Sequence, residues 1–221
     1  MYQYKMNLTE EQKDILSGKQ GEVKAKVMET IVRYGDMFEA TELVPVTHGE
    51  GHLVTSFGLS LLKPVYRTMD ELISAGLKVE EGFTMDPRPV DFKNVKCNLL
   101  DKLLFSTVLY GKQKTYEEQL TALGLKSKDS FSCACYFDEM GNVPKKGDIL
   151  SWAESSAVNY ANSVLGARCN RNSGMIDIFG SIVGFVPKFG LLTDEGRKAK
   201  WKVIVKTEKK PLPQILGSAI G

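Results

Sequence analysis

Histidine and cysteine are scarce in this chain, with two and four among 221 residues. Long apolar runs are missing altogether. No segment approaches the roughly 18 apolar residues that a membrane span needs, so no membrane association is expected. The opening stretch, MYQYKMNLTEEQ, has no apolar core of the kind a signal peptide carries. Excess charge of either sign is also absent. Lys and Arg number 29 against 27 Asp and Glu, and a net charge of +2 is too small to suggest a nucleic-acid binder. Four cysteines without tight regular spacing do not make a disulfide framework in a chain this long. A reducing, cytoplasmic setting is expected, with thiols available for a metal or cluster.

What is present reads as an ordinary globular chain, 43% hydrophobic and 25% charged. A helix should start at Thr9, with Asn7 or Thr9 as cap and Glu10 and Glu11 in its first turn, and SGKQG should end it. Val23, Val27, Ile31 and Val32 then fall at helical spacing. TELVPVT reads as a buried strand leading into a loop, HGEGH, that holds both histidines. Helices are also expected over TMDELISAG, Leu100 to Tyr110, Tyr116 to Leu123 and WAESSAVNYANSVLGAR, with KWKVIVKT as a final strand. Helices alternating with short β-branched runs predict an α/β fold with a largely parallel sheet flanked by helices. In such sheets ligands sit beyond the carboxyl ends of strands. The expected site lining is therefore His48 to His52, Thr84 to Asp91 and Ser132 to Asp138.

Several side chains there can carry chemistry. FSCACYFDE places Cys133 and Cys135 one residue apart; C-x-C can ligate a metal, although C-x2-C is the usual signature, and buried structural thiols are the commoner reading. A non-catalytic metal module would need Cys97, Cys133, Cys135 and Cys169 to converge. HGEGH resembles the spacing of a zinc-protease pair, but its two glycines disfavour the helix that would align His48 and His52. Ser151 and Glu154 fit a capping box. Ser155, Asn159 and Asn162 fall at i, i+4 and i+7, hence on one helix face. Arg168 and Arg171, with Asn170 and Asn172, form a donor-rich loop suited to a carboxylate or phosphate.

Five segments together, LTEEQKDILSGKQGEVKAKVM, TMDPRPVDF, FSCACY, GDILSWAESSAVNYANSVLGARCNR and FVPKFGLLTDEGR, resemble the large-subunit region of aconitase X, a family of iron–sulfur hydro-lyases. The resemblance implies an aconitase-like fold. Family members are roughly twice this length, so residues 1–209 are expected to form an N-terminal lobe and 210–221 the start of a crossover to a second lobe. It implies an iron–sulfur cluster with Cys133 as the ligand supplied here, and other ligands in that second lobe. Cys135 stands where some members have proline, and Cys169 where many have threonine. A separate small subunit or fused small domain is implied as partner and as source of the catalytic base. The expected substrate contacts are His52, Ser56, Asp86, Pro87, Glu154, Ser155, Asn162, Arg168 and Asn170. Two substrates are implied by the family, cis-3-hydroxy-L-proline and mevalonate 5-phosphate. Asp86 would repel a phosphate but pair with a ring ammonium, which favours the amino acid. His52, Asp86, Cys133, Ser155 and Asn162 are expected to share one concave surface, with Arg168 and Asn170 at its rim.

Overall fold

Thr9 decides where the first helix begins. Its hydroxyl accepts from the Gln12 amide while the Gln12 side chain accepts from the Thr9 amide, a reciprocal cap that opens α1 (Glu10–Leu16). Gly18 and Gly21, at φ of 88° and 98°, turn the chain as SGKQG predicts, into α2 (Glu22–Met37). Val27, Met28, Ile31 and Val32 form its buried stripe. The computed structural model describes residues 3–90, 94–126 and 131–220, without the side chains of residues 56 and 57.

Beyond α2, β1 (Leu43–Pro45) leads to β2 (Gly51–Leu53), then α3 (Lys63–Ser74) and β3 (Phe83–Met85). Next come α4 (Leu99–Leu103), extended by a π-helical turn over Leu104–Leu109, and α5 (Gln113–Leu123). The last elements are α6 (Ser155–Tyr160), α7 (Gly174–Val183), β4 (Phe185–Pro187) and α8 (Pro213–Ile220). One apolar core joins the buried faces of α2, α3, α5 and α7. A smaller one gathers Cys135, Leu150, Trp152, Ala157, Val158, Ala161, Ala167 and Cys169 beneath α6.

The largely parallel sheet is not formed. There are two small sheets among the described residues: β1 pairs antiparallel with β4, and β2 pairs parallel with β3. Each strand is three residues long. Pro45 and Pro187 close one pair and Pro87 follows the other, each lacking the amide that would continue a ladder. Parallel character survives as single bridges that widen the β2–β3 layer: Trp152 beside His52, Leu125 beside Phe83 and Phe131 beside Met85. The expected strand KWKVIVKT is also not formed. Residues 201–207 have no regular secondary structure and are exposed, and no backbone hydrogen bond joins them to other described residues. A strand propensity without a neighbouring edge produces no strand.

Close packing at Gly35 holds α2 against β4. A Cβ there would lie 2.7 Å from the Pro187 Cβ and 2.8 Å from the Met6 Cε. Gly35→Ala is therefore expected to destabilise by about 1–3 kcal/mol, the usual cost of overpacking, read from urea unfolding. A variant as stable as the parent would show that the helix can shift away from β4 freely.

Candidate functional site

The parallel register of β2 and β3 sets His52 opposite Thr84, and the two-residue period of a strand brings Asp86 to the same side as Thr84. Both of these side chains meet the His52 ring. Nδ1 of His52 lies 2.8 Å from the Thr84 hydroxyl, and Nε2 lies 3.2 Å from Asp86 Oδ1. Glu154 approaches the same nitrogen, its Oε2 at 4.0 Å from Nε2. It is carried there because Ala153 donates its amide to the His52 carbonyl at 2.8 Å. His52 is fully buried, and Asp86 and Glu154 are partly exposed. The three side chains each offer a ligand atom within 4.8 Å of the others, a spacing that can hold a cation.

Trp152 backs this cluster. Its indole donates to the Glu50 carbonyl at 2.9 Å, and its ring stands edge-on to both His48 and His52 at 5.9 Å. His48 remains in the loop before β2, whereas His52 sits in the strand rather than in the expected loop. The histidines thus do different work: His48 faces Asn142 at 2.6 Å, and His52 faces the carboxylates.

Cys133 is exposed and adjoins the cluster. Burial, followed by the negative charges of Asp86 and Glu154, pushes its thiol up from the ordinary range. The same influences push Cys135 up further; it is buried beneath α6 and beside the Thr84 hydroxyl. Cys169 is buried, its thiol directed at the carbonyls of Asn170 and Trp152 at 3.2 and 3.6 Å. Cys97 is exposed, just before α4. No three cysteines share a metal-sized space among the described residues, which rules out the four-cysteine module. One accessible thiol beside an acidic cluster suits one ligand of an iron–sulfur group, which needs three or four thiolates in all.

Glu154 is the cap of α6, not the partner of a Ser151 cap. Ser151 is buried and turned to Asp177 instead. Both Glu154 oxygens accept hydrogen bonds, from the amides of Ser156 and Ala157 and from the Ser156 hydroxyl. Burial alone would raise the Glu154 carboxyl, but these bonds and the nearby His52 outweigh it and hold the carboxyl below its usual value. Such a group contributes stability above its ordinary pKa, lost as pH falls through the lowered one. Glu154→Ala is expected to cost about 1 kcal/mol at pH 7 and less in acid, measured by thermal unfolding across that range. Equal losses at both pH values would contradict the capping role.

Other expected site residues are placed differently. Ser155 opens α6 and is exposed, as is Asn159. Asn162 is not aligned with them. The π-helical turn over Ala161–Leu165 rotates it towards the chain after Gly166, which ends the helix at φ 75°. Its amide donates to the carbonyls of Val158 and Cys169, and its oxygen accepts from Arg197 at 2.7 Å. Arg168 donates to the Leu192 carbonyl and pairs with Asp194 at 2.6 Å. Asn170 joins Phe189 and Leu191. Arg168 and Asn170 fasten the loop around Gly190, and Asn162 holds Arg197; the donors named here are engaged within the fold instead of free at a rim. Pro87 is exposed beside Asp86, while the side chain of Ser56 and all of Asp91 lie outside the described residues.

Thr84, at the edge of the expected lining, and Asn142, which sequence reasoning passed over, are buried and hydrogen-bonded within the cluster. The T-x-D spacing of Thr84 and Asp86 in a short strand is the signal for the first. Nothing in GNVP marks Asn142. Alongside the cluster, past Arg88 and Phe131, opens a cleft of about 970 Å³ between α5 and the π-helical turn after α4. Arg88 lines it, paired with Glu117 and lying over the Phe131 ring.

The sequence model of a family described as "Aconitase X first domain" matches residues 5–195. A phosphomevalonate dehydratase large subunit from Thermococcus kodakarensis is 32% identical over 98% of this chain and 51% of its own length. A cis-3-hydroxy-L-proline dehydratase from Pseudomonas aeruginosa is 38% identical over a shorter stretch, 39% of this chain and 14% of its own. The crystal structure of Thermococcus kodakaraensis aconitase X in its holo-form superposes with a TM-score of 0.68 at 32% identity, over 88% of this chain and 45% of that one. The chain spans about half the length of the phosphomevalonate dehydratase subunits it matches. Among the described residues no helix is long and apolar enough to cross a membrane.

Proposed function

Because the chain belongs to the aconitase X family, we propose that it forms the first lobe of an iron–sulfur hydro-lyase that removes water from a small hydroxy acid. The observation that carries this reading is the meeting of His52, Asp86 and Glu154 beside an accessible Cys133. Cys133 would hold the cluster together with thiolates from the region that relatives have beyond the match. When bound, a cluster with one open iron acts as a Lewis acid towards the substrate's carboxylate and hydroxyl. This chain's own residues bind and orient. Asp86 presents a carboxylate whose one oxygen is fixed by His52, and the adjoining wall of Trp152 keeps the His52 ring away from water. A catalytic base would come from a small subunit, the partner that the phrase "large subunit" in the relatives' names points to.

Two partly exposed carboxylates in the cluster favour a hydroxy acid that also bears an ammonium group, as the ring of cis-3-hydroxy-L-proline does. Mevalonate 5-phosphate is the second reading, favoured by the broad match to phosphomevalonate dehydratases. The test is anaerobic reconstitution of the chain with the second-half and small-subunit polypeptides, iron and sulfide, assayed with each compound. Loss of water from cis-3-hydroxy-L-proline is expected, and Cys133→Ser should abolish it. Turnover of mevalonate 5-phosphate alone would transfer the site to the second reading. Turnover of neither would overturn both substrates, and full activity in Cys133→Ser would remove that thiol from the site.

A further inference from the structure

We infer that Asn142 and Thr84 act as positioning residues, fixing His52 as the tautomer that carries its proton on Nε2, directed at Asp86. The Gly51 carbonyl can only accept. Asn142 Nδ2 lies 3.4 Å from that oxygen and 3.0 Å from the Thr84 hydroxyl. Its NH2 group must be the end facing them, because the opposite orientation would press one carbonyl oxygen against another. Asn142 Oδ1 is therefore left to accept from His48 Nε2 at 2.6 Å.

The Thr84 oxygen accepts from Asn142, so its single proton has to go elsewhere. The Gly51 carbonyl at 3.4 Å is a poor target already served by Asn142, whereas His52 Nδ1 stands at 2.8 Å. The remaining neighbour, the Cys135 sulfur, is a much weaker acceptor than an imidazole nitrogen. With Thr84 donating to Nδ1, the imidazole proton resides on Nε2. That nitrogen faces the Asp86 and Glu154 carboxylates, which are acceptors only, so both edges of the ring demand the same tautomer. At the outer end of the relay, His48 Nδ1 lies 3.8 Å from Asp148. A backbone carbonyl is thereby linked through Asn142, Thr84 and His52 to the orientation of Asp86.

With only two histidines, the whole chain labelled with 15N-histidine gives two ring signals in a long-range proton–nitrogen correlation spectrum, assigned with His48→Gln. The expected result is a His52 ring with Nε2 protonated and a free lone pair on Nδ1. Thr84→Val should convert it to a mixture of tautomers, Thr84→Ser should restore the single form, and Asn142→Ala should weaken it. A native His52 protonated on Nδ1, or on both nitrogens, would overturn the assignment, as would an unchanged ring in a folded Thr84→Val. Should that variant not fold, the native spectrum decides alone. The catalytic consequence rests on the proposed hydro-lyase reading: in the reconstituted enzyme Thr84→Val lowers kcat roughly tenfold with KM little changed, and Thr84→Ser recovers it. An intact tautomer effect without that kcat loss would fault the catalytic role and leave the ring assignment standing.

Discussion

Trp152→Ala is expected to destabilise the protein by about 3–5 kcal/mol, the range for removing a large buried aromatic ring. The residue is 0% exposed and lies at the centre of the small core under α6. Two losses combine. Three of the residues that share this core, Ala157, Ala161 and Ala167, are too short to fill the cavity left behind. The Glu50 carbonyl also loses its indole donor. Trp152→Phe separates these contributions, since it keeps most of the volume and loses only the N–H; about 1–2 kcal/mol is expected from it. Urea unfolding checks both. Because the ring abuts both histidines, the alanine variant should also broaden their NMR signals while the phenylalanine variant should not. A cost below 1 kcal/mol for Trp152→Ala would mean that the small core tolerates a void and does not brace the site.

The second large effect concerns Asp177, in α7. Its carboxyl is fully buried, and burial pushes it up to about 7 from an ordinary 3.8, against the lowering effect of hydrogen bonds from Asn172 and Ser151. Those bonds both reach Oδ1, at 3.0 and 3.1 Å, whereas Oδ2 is buried without a hydrogen-bond partner. A raised folded pKa means that the native state binds a proton the unfolded chain has released. Its stabilising contribution is complete below about 3.8 and is lost as pH rises to about 7. Over that window the loss is on the order of 4 kcal/mol, at about 1.4 kcal/mol per pH unit. Asp177→Asn, which resembles the protonated form, should match the parent near pH 4 and exceed its stability at pH 8. The difference between the two unfolding curves isolates this group from the rest. A constant difference across pH 4–8 would show that Asp177 is ionised throughout.

Local signals read from the sequence were accurate where the physics is local. The Thr9 cap, the glycine break after α1 and the α2 stripe depend on residues within a turn or two of each other. Sheet topology was not legible, because the extended segments touch over one to three residues and alternation cannot reveal how soon a partner departs. For the site, His52, Asp86 and Cys133 stood out as rare or charged residues in loop-like contexts. The inward turn of Asn162 was hidden, since a π-helical turn breaks the 3.6-residue arithmetic that aligned it with Ser155. Arg168 and Asn170 looked like free donors because sequence does not show the carbonyls of residues 189–192 folding back onto them.

The bare tract over residues 201–207 has a consequence for how the protein behaves in a tube. Trp201, Val203, Ile204 and Val205 are exposed on irregular backbone, and Lys200, Lys202 and Lys206 are interspersed among them. Apolar strand-like stretches tend to pair with their own kind, and like charges placed along them keep copies apart. That protection is electrostatic and fades as the screening length shortens from about 30 Å at 0.01 M salt to 3 Å at 1 M. Light scattering from a concentrated sample should therefore rise with added sodium chloride, and dilute low-salt buffer is where this chain should keep longest.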